Sequence, residues 1–156
     1  MGANLEVLER VQRRLADEPD NPRPERLAEL IREEAVVISD VDVLELMRRL
    51  REETTGVGPL EPLLAAGDVT DICVNGPGKV FVDRGRGLEQ VEIAGLDTDG
   101  DVRRLATRLA LRSGRRLDDA RPFCDGHLTR PAGTLLRFHA VLAPTAKPGT
   151  CLSLRV

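Results

Sequence analysis

The sequence predicts an α+β protein: a three-helix N-terminal bundle, then a mainly antiparallel, PAS-like sheet with flanking helices. Three observations predict it. Apolar residues recur at helical spacing through the first third and again around residue 105. Short alternating apolar and polar runs fill much of the remainder. Turn-forming glycines and prolines punctuate those runs. The expected boundary puts the bundle in residues 1–56 and the α+β domain in residues 57–156.

The first helix is expected over residues 4–18, with Leu5, Leu8, Val11, Gln12 and Leu15 on one face and Asn4 as a cap. Glu18-Pro19-Asp20-Asn21-Pro22-Arg23-Pro24 reads as a loop. A second helix turns Leu27, Leu30 and Ile31 inward. Ser39 and Asp42 resemble a capping box, with Asp in place of the usual Glu or Gln. The third helix carries Val43, Leu46, Met47 and Leu50 at i, i+3, i+4 and i+7 and stops at Thr54-Thr55-Gly56. The Arg/Glu outer faces read as solvated, with a partner surface as the sharper alternative.

Pro59 and Pro62 suit the start of a short helix, where the first N–H groups have no intrahelical partner. Gly67 ends it. Val69 to Val74 alternates, Asn75-Gly76-Pro77-Gly78 turns, and Lys79 to Asp83 alternates again, which reads as a hairpin. After the turn Arg84-Gly85-Arg86-Gly87, a third strand is marked by Leu88, Val91 and Ile93. Thr98 or Asp99 caps a helix whose inward face is Val102, Leu105, Ala106 and Leu109, with Gly114 as its stop. Six arginines lie on or just after that helix (Arg103, Arg104, Arg108, Arg112, Arg115 and Arg116). A solvated face is the plainer reading and an anion site the alternative. Leu135 to Leu142 and Cys151 to Val156 read as strands around the loop Pro144 to Gly149.

Composition excludes several classes of function. Aromatic residues are 2% of the chain, three Phe with no Tyr or Trp, so base stacking is not expected. The net charge of -3 offers no overall basic field for nucleic acid. Charge is uneven, however: residues 1–56 carry 14 acidic and 9 basic side chains, and residues 57–156 carry 12 and 14. The basic bias therefore lies in the strand-rich part. No apolar run reaches the ~20 residues of a membrane span. The N-terminus lacks a signal pattern, which predicts a cytoplasmic protein. Cys73, Cys124 and Cys151 are far apart and form no metal or disulfide spacing; they read as small buried thiols. Cys124, Asp125 and His127 sit together, but neighbours on an extended segment diverge, so no Cys/His active site and no catalytic residue is expected.

The chemistry is expected on the last two strands. An antiparallel hairpin centred near Ala146 would set Arg137 opposite Arg155, His139 opposite Ser153, and Val141 opposite Cys151. Two arginines directly opposite repel unless something anionic lies between them. The guanidinium fork suits a phosphate, to which it donates two parallel hydrogen bonds. The alternative is that both arginines are solvated or paired to Asp118, Asp119 or Asp125.

The string from Gly56 to Arg84, GVGPLEPLLAAGDVTDICVNGPGKVFVDR, closely resembles the signature GxGPLEPLL…VTDIxVNGPxxVxVxRxG. That signature marks the N-terminal domain of secretion and pilus-assembly ATPases, nearest to the CpaF/TadA group of the type II/type IV secretion ATPase superfamily. The resemblance continues through Arg115-Arg116-Leu117-Asp118, Pro122, Asp125, Leu128, Arg137, Ala140-Val141-Leu142, Pro144, Gly149 and Leu152-Ser153-Leu154-Arg155. It implies that Arg137 and Arg155 contact nucleotide phosphates held mainly by a following RecA-like motor domain. His139, Ser153 and Asp125 would support them. The chain departs from the pattern at His127, where the family usually has Arg, and at Arg130-Pro131-Ala132-Gly133-Thr134, where it has Pro-Asp-Gly-Ser. An imidazole is not a permanent positive charge, so position 127 cannot simply inherit the arginine's role.

No GxxxxGK[ST] phosphate loop is present; Gly78-Lys79 is followed by Val80, with Cys73 in the first-glycine position. The chain is therefore expected to lack the motor domain and not to hydrolyse ATP by itself. The resemblance implies ATP and Mg in the full protein, with no tight cofactor and no metal site in this part. It also implies a hexameric ring at the inner face of the cell membrane. The implied partners are the motor domain, neighbouring subunits and inner-membrane assembly-platform proteins reached through the bundle, with no nucleic acid. The rival expectation is a free-standing PAS-like ligand-binding or adaptor module. The coding sequence beyond Val156 separates the two, since a GxxxxGK[ST] there would point to the ATPase.

Overall fold

The computed structural model describes residues 2–16, 23–35, 37–54, 56–130 and 133–156, with side chains except at 2–5, 16 and 52–54. The chain forms two compact units, Met1–Gly56 and Val57–Val156. The first holds α1 (Gly2–Ala16), α2 (Pro24–Glu34) and α3 (Asp40–Thr54). Their apolar stripes meet in one core of Val7, Leu8, Val11, Leu27, Leu30, Ile31, Val43, Leu46 and Leu50, with Leu15 and Met47 at its margin. Arg14 reaches from α1 to Glu33 and Glu34 of α2, at 2.8 and 3.0 Å. Ser39 behaves as expected of a cap: its Oγ accepts from the Asp42 N–H at 3.1 Å and donates to Asp42 Oδ2 at 2.6 Å. Asn4 does not cap α1, because the helix already begins at Gly2 and runs through it. Ala3 is a strong helix former, and nothing in Gly2-Ala3 halts the helix. The expected loop from Glu18 to Pro22, the inward side chain of Leu5, Thr55 and the departures at Pro131 and Ala132 lie outside the described residues.

The second unit opens with a 3-10 turn at Gly58–Leu60 and α4 (Glu61–Ala65), so the expected single helix is two short pieces. There follow β1 (Asp71–Asn75), β2 (Val80–Asp83), β3 (Leu88–Val91), α5 (Asp99–Arg112), β4 (Phe123–Thr129), β5 (Leu135–Val141) and β6 (Cys151–Arg155). The strands form one sheet in the order β3-β2-β1-β6-β5-β4, and every neighbouring pair is antiparallel. β1 begins at Asp71 rather than Val69, and β3 stops at Val91 short of Ile93.

One face of this sheet is covered and the other is open. Ile72, Val74, Val80, Val82, Leu128, Leu136, Phe138, Ala140, Leu152 and Leu154 share a core with Val102, Leu105, Ala106, Leu109 and Ala110 of α5. Thr98 caps α5 through a reciprocal box: its Oγ accepts from the Asp101 N–H at 3.2 Å, and Asp101 Oδ2 accepts from the Thr98 N–H at 2.9 Å. The Thr98 Oγ–H also donates to Asp101 Oδ2 at 2.7 Å, and that bond first, then the one from the Thr98 N–H, holds the Asp101 carboxyl below its usual pKa.

Two contacts position the last strands. Asp99, in the first turn of α5, accepts from the N–H of fully buried Thr150 at 2.6 Å and from its Oγ–H at 3.3 Å. This ties the β5–β6 connection to the helix. In β4, Gly126 faces Phe138 across the ladder. A Cβ at Gly126 would overlap the Phe138 ring and come within 2.7 Å of Ser113 Oγ. Replacing Gly126 with Ala should therefore destabilise the sheet unit by about 1–3 kcal/mol, the usual cost of overpacking. Urea unfolding checks this, and adding Phe138→Leu to Gly126→Ala should restore part of the loss.

Candidate functional site

The open face is ordered in rows by the strand register. One row reads Asp83, Asp71, Arg155, Arg137 and His127 from β2 to β4. The next reads Phe81, Cys73, Ser153, His139 and Asp125. Arg137 stands directly opposite Arg155, His139 opposite Ser153 and Val141 opposite Cys151, the register expected for a hairpin centred near Ala146. An open depression of about 430 Å³ is lined by Asp71, Cys73, Asp125, Arg137, His139, Ser153 and Arg155. The structure thus brings together all five residues singled out from sequence.

Their partners differ from the expected ones. Arg155 Nε donates to Asp71 Oδ1 at 2.7 Å. That bond raises the Arg155 pKa above its ordinary value. Asp118 and Asp119 take neither Arg137 nor Arg155; Asp118 pairs with Arg116, and Asp119 with Arg103 at 2.6 Å. Asp125 is committed to His139, Oδ1 to Nδ1 at 2.8 Å. The Arg137 side chain is exposed and has no ion pair or hydrogen bond among the described residues. Two permanent cations therefore lie side by side, one held on its Nε edge and one free.

The Cys73 and Cys124 thiols are not primed as nucleophiles. Cys124 points to the covered side of β4, away from Asp125 and His127. Burial pushes the Cys124 thiol up. Burial, then the Asp71 charge, does the same to Cys73. Both resist forming the thiolate that a nucleophile needs. Among the described residues no group of three His, Cys, Asp or Glu is placed to hold a metal ion. No helix of the described residues is long and apolar enough to cross a membrane. Of the arginines on and after α5, Arg103, Arg104 and Arg116 pair with Asp119, Asp101 and Asp118, as on a solvated ionic face.

Asp71 is the residue that sequence reasoning missed. Its alternation phase on β1 was readable, but Arg155 lies 84 residues away, and only the pairing of β1 with β6 joins them.

No family model matches the chain. Two Mycobacterium tuberculosis proteins, from strains CDC 1551 / Oshkosh and ATCC 25618 / H37Rv, are 52% identical to it over 122 residues and carry the provisional name conjugal transfer protein. The match covers 77% of this chain and 34% of each relative, so the chain spans about a third of their length. Among solved structures, the VirB11 ATPase of the Brucella suis type IV secretion system, in complex with sulphate, superposes with a TM-score of 0.55. It is 29% identical, and the match covers 63% of this chain and 29% of that one. These likenesses define the class: the chain is a secretion-ATPase-related domain. More particularly, they support the N-terminal domain of such an ATPase, the assignment to which the motifs from Gly56 to Arg155 pointed.

The like-charged pair has a measurable cost. Arg137→Gln should stabilise the domain at low ionic strength by a few tenths to about 1 kcal/mol, the range of cross-strand pair energies. The gain should shrink near 1 M salt, where the screening length is ~3 Å. Thermal unfolding at the two salt concentrations checks it.

Proposed function

We propose that this chain is the nucleotide-covering N-terminal domain of a ring-forming ATPase of the CpaF/TadA branch. In this reading the full protein couples ATP hydrolysis to pilus assembly, conjugal transfer or protein export at the inner face of the cell membrane. Arg137 and Arg155 reach toward phosphates held mainly by a motor domain. His139, Ser153 and Asp125 shape the rim of that contact. The helical unit docks the membrane-embedded assembly platform, and neighbouring subunits complete a hexamer.

The observation that carries the reading is the Arg137–Arg155 register, which sets two guanidinium groups together on an exposed sheet face. Like charges at that spacing repel, and a polyanion converts the repulsion into attraction. The donor set fits a phosphate: Arg137 has no partner among the described residues, and Arg155 is bonded to Asp71 through Nε. ATP would supply the phosphoryl group whose transfer drives the motor, and Mg would be held with it by the motor domain. This chain's residues would bind and orient the phosphate oxygens and shield them from water. The relatives' greater length leaves room for such a domain: the match covers 34% of each.

The test uses the full-length protein. Arg137→Ala and Arg155→Ala should each lower kcat/KM for ATP by about 10- to 100-fold, the loss expected for a hydrogen bond to a charged group. Steady-state ATPase assays measure it. Unchanged kinetics in both variants would remove the phosphate role.

A further inference from the structure

The depression on the open face holds one acid whose placement the phosphate reading leaves unexplained. Asp71 lies beside the cations that would receive an anion, and its own charge should weaken anion binding. It is next to Arg155 in the β1–β6 ladder and accepts from Arg155 Nε at 2.7 Å. The neighbouring acid in the row, Asp83, is otherwise engaged. Its Oδ1 accepts from the N–H groups of Gly85, Arg86 and Gly87 at 2.7, 3.2 and 3.1 Å. Arg155 thus has one carboxylate on its β1 side and Arg137 on its β5 side.

The pair does little for stability. Arg155 is 70% exposed, and surface ion pairs of this kind contribute little to stability. Its effect is geometric. A guanidinium has five N–H donors in a rigid plane. Fixing Nε on Asp71 removes the rotamer freedom of a long side chain before any ligand arrives. The backbone beneath is also fixed, since the Val156 N–H donates to the Thr70 carbonyl at 3.0 Å and the Thr70 N–H to the Asp83 carbonyl at 2.9 Å.

We propose that Asp71 is a positioning residue: it holds Arg155 by Nε so that the two Nη groups, together with Arg137, form a preset clamp for a terminal phosphoryl group. This inference rests on the phosphate reading of Arg137 and Arg155. It makes a prediction opposite in sign to simple charge counting. If Asp71 were only a nearby negative charge, deleting it would tighten anion binding. As a positioning residue, its deletion loosens binding.

The experiment titrates inorganic triphosphate into the 156-residue chain at low salt. The ¹H–¹⁵N signals of the arginine Nε–H groups report Arg155 directly, and circular dichroism checks the fold of each variant. Asp71→Ala should weaken triphosphate binding about 5- to 10-fold and shift the Arg155 Nε–H signal in the free protein. Asp71→Asn keeps an oxygen acceptor and loses the charge, so it should bind as well as the unaltered chain or better. The double variant Asp71→Ala with Arg155→Ala should bind no worse than Arg155→Ala alone, because Asp71 acts only through Arg155. Tighter binding by Asp71→Ala would overturn the inference. So would equal losses in Asp71→Ala and Asp71→Asn, or additive losses in the double variant. If Arg137→Ala and Arg155→Ala leave binding unchanged, or the unaltered chain shows no saturable binding, the phosphate reading itself fails and this inference falls with it. If those two weaken binding while Asp71→Ala does not, the assignment of Asp71 alone fails.

Discussion

Two guanidinium groups stand together on the open face because the β5–β6 ladder pairs Arg137 with Arg155. A one-residue slip in that ladder would send one of them toward the core and bring an apolar neighbour out, since side chains alternate between faces. The buried set guards against the slip. Phe138, Leu136, Ala140, Leu152 and Leu154 are all at most 1% exposed, and whichever strand slipped would have to carry its own buried members across the sheet. Two further contacts pin the same strands. Gly126 leaves the space that the Phe138 ring occupies, and Asp99 ties Thr150 to the start of α5. The candidate site is exposed, but the constraint that builds it is the packed face beneath it.

That division explains why the polar row can tolerate unfavourable electrostatics. Burial of one sheet face against α5 supplies the folding energy, at roughly 25 cal/mol for each Å² of apolar surface removed from water. The exposed row contributes little by comparison, whether as attraction between Asp71 and Arg155 or as repulsion between Arg155 and Arg137. The row is free to be arranged for a ligand because the fold does not depend on it.

Much of this was legible in the chain, for physical reasons that differ by element. The alternation in Leu135 to Leu142 and Cys151 to Val156, with an eight-residue connection between, fixes both the faces and the register, because the pairing is local. The α5 stripe and its Thr98 cap are legible for the same reason. β4 was harder to see. Its buried positions are Cys124, Gly126 and Leu128, and only the last is strongly apolar, so an extended segment was visible but not its place in the sheet. The Asp71–Arg155 pair was not legible at all. It depends on the non-local pairing of β1 with β6, and the phase of alternation in β1 does not name the strand beside it. The acids that were considered as partners, Asp118, Asp119 and Asp125, lie close in sequence to the arginines; the partner chosen lies far away.

His127 shows how the row is tuned. It stands next to Arg137 on β4, at the end of the sequence Asp71, Arg155, Arg137, His127. An arginine at that position, the residue of the pattern this chain resembles, would put three guanidinium groups on adjacent strands, with Asp71 bonded to one of them and Asp83 already engaged by its own turn. With an imidazole there, the permanent cations of the row are the two arginines, with Asp71 held at the far side of Arg155 and Asp83 beyond it. In the phosphate reading, the attraction for a polyanion comes from the two arginines, and Asp71 sets how one of them is presented. The wider charge distribution agrees. Residues 57–156 carry a small basic excess, whereas residues 1–56 carry five more acidic than basic side chains. The electrostatic bias that would favour an anion therefore lies in the sheet unit and not in the helical one.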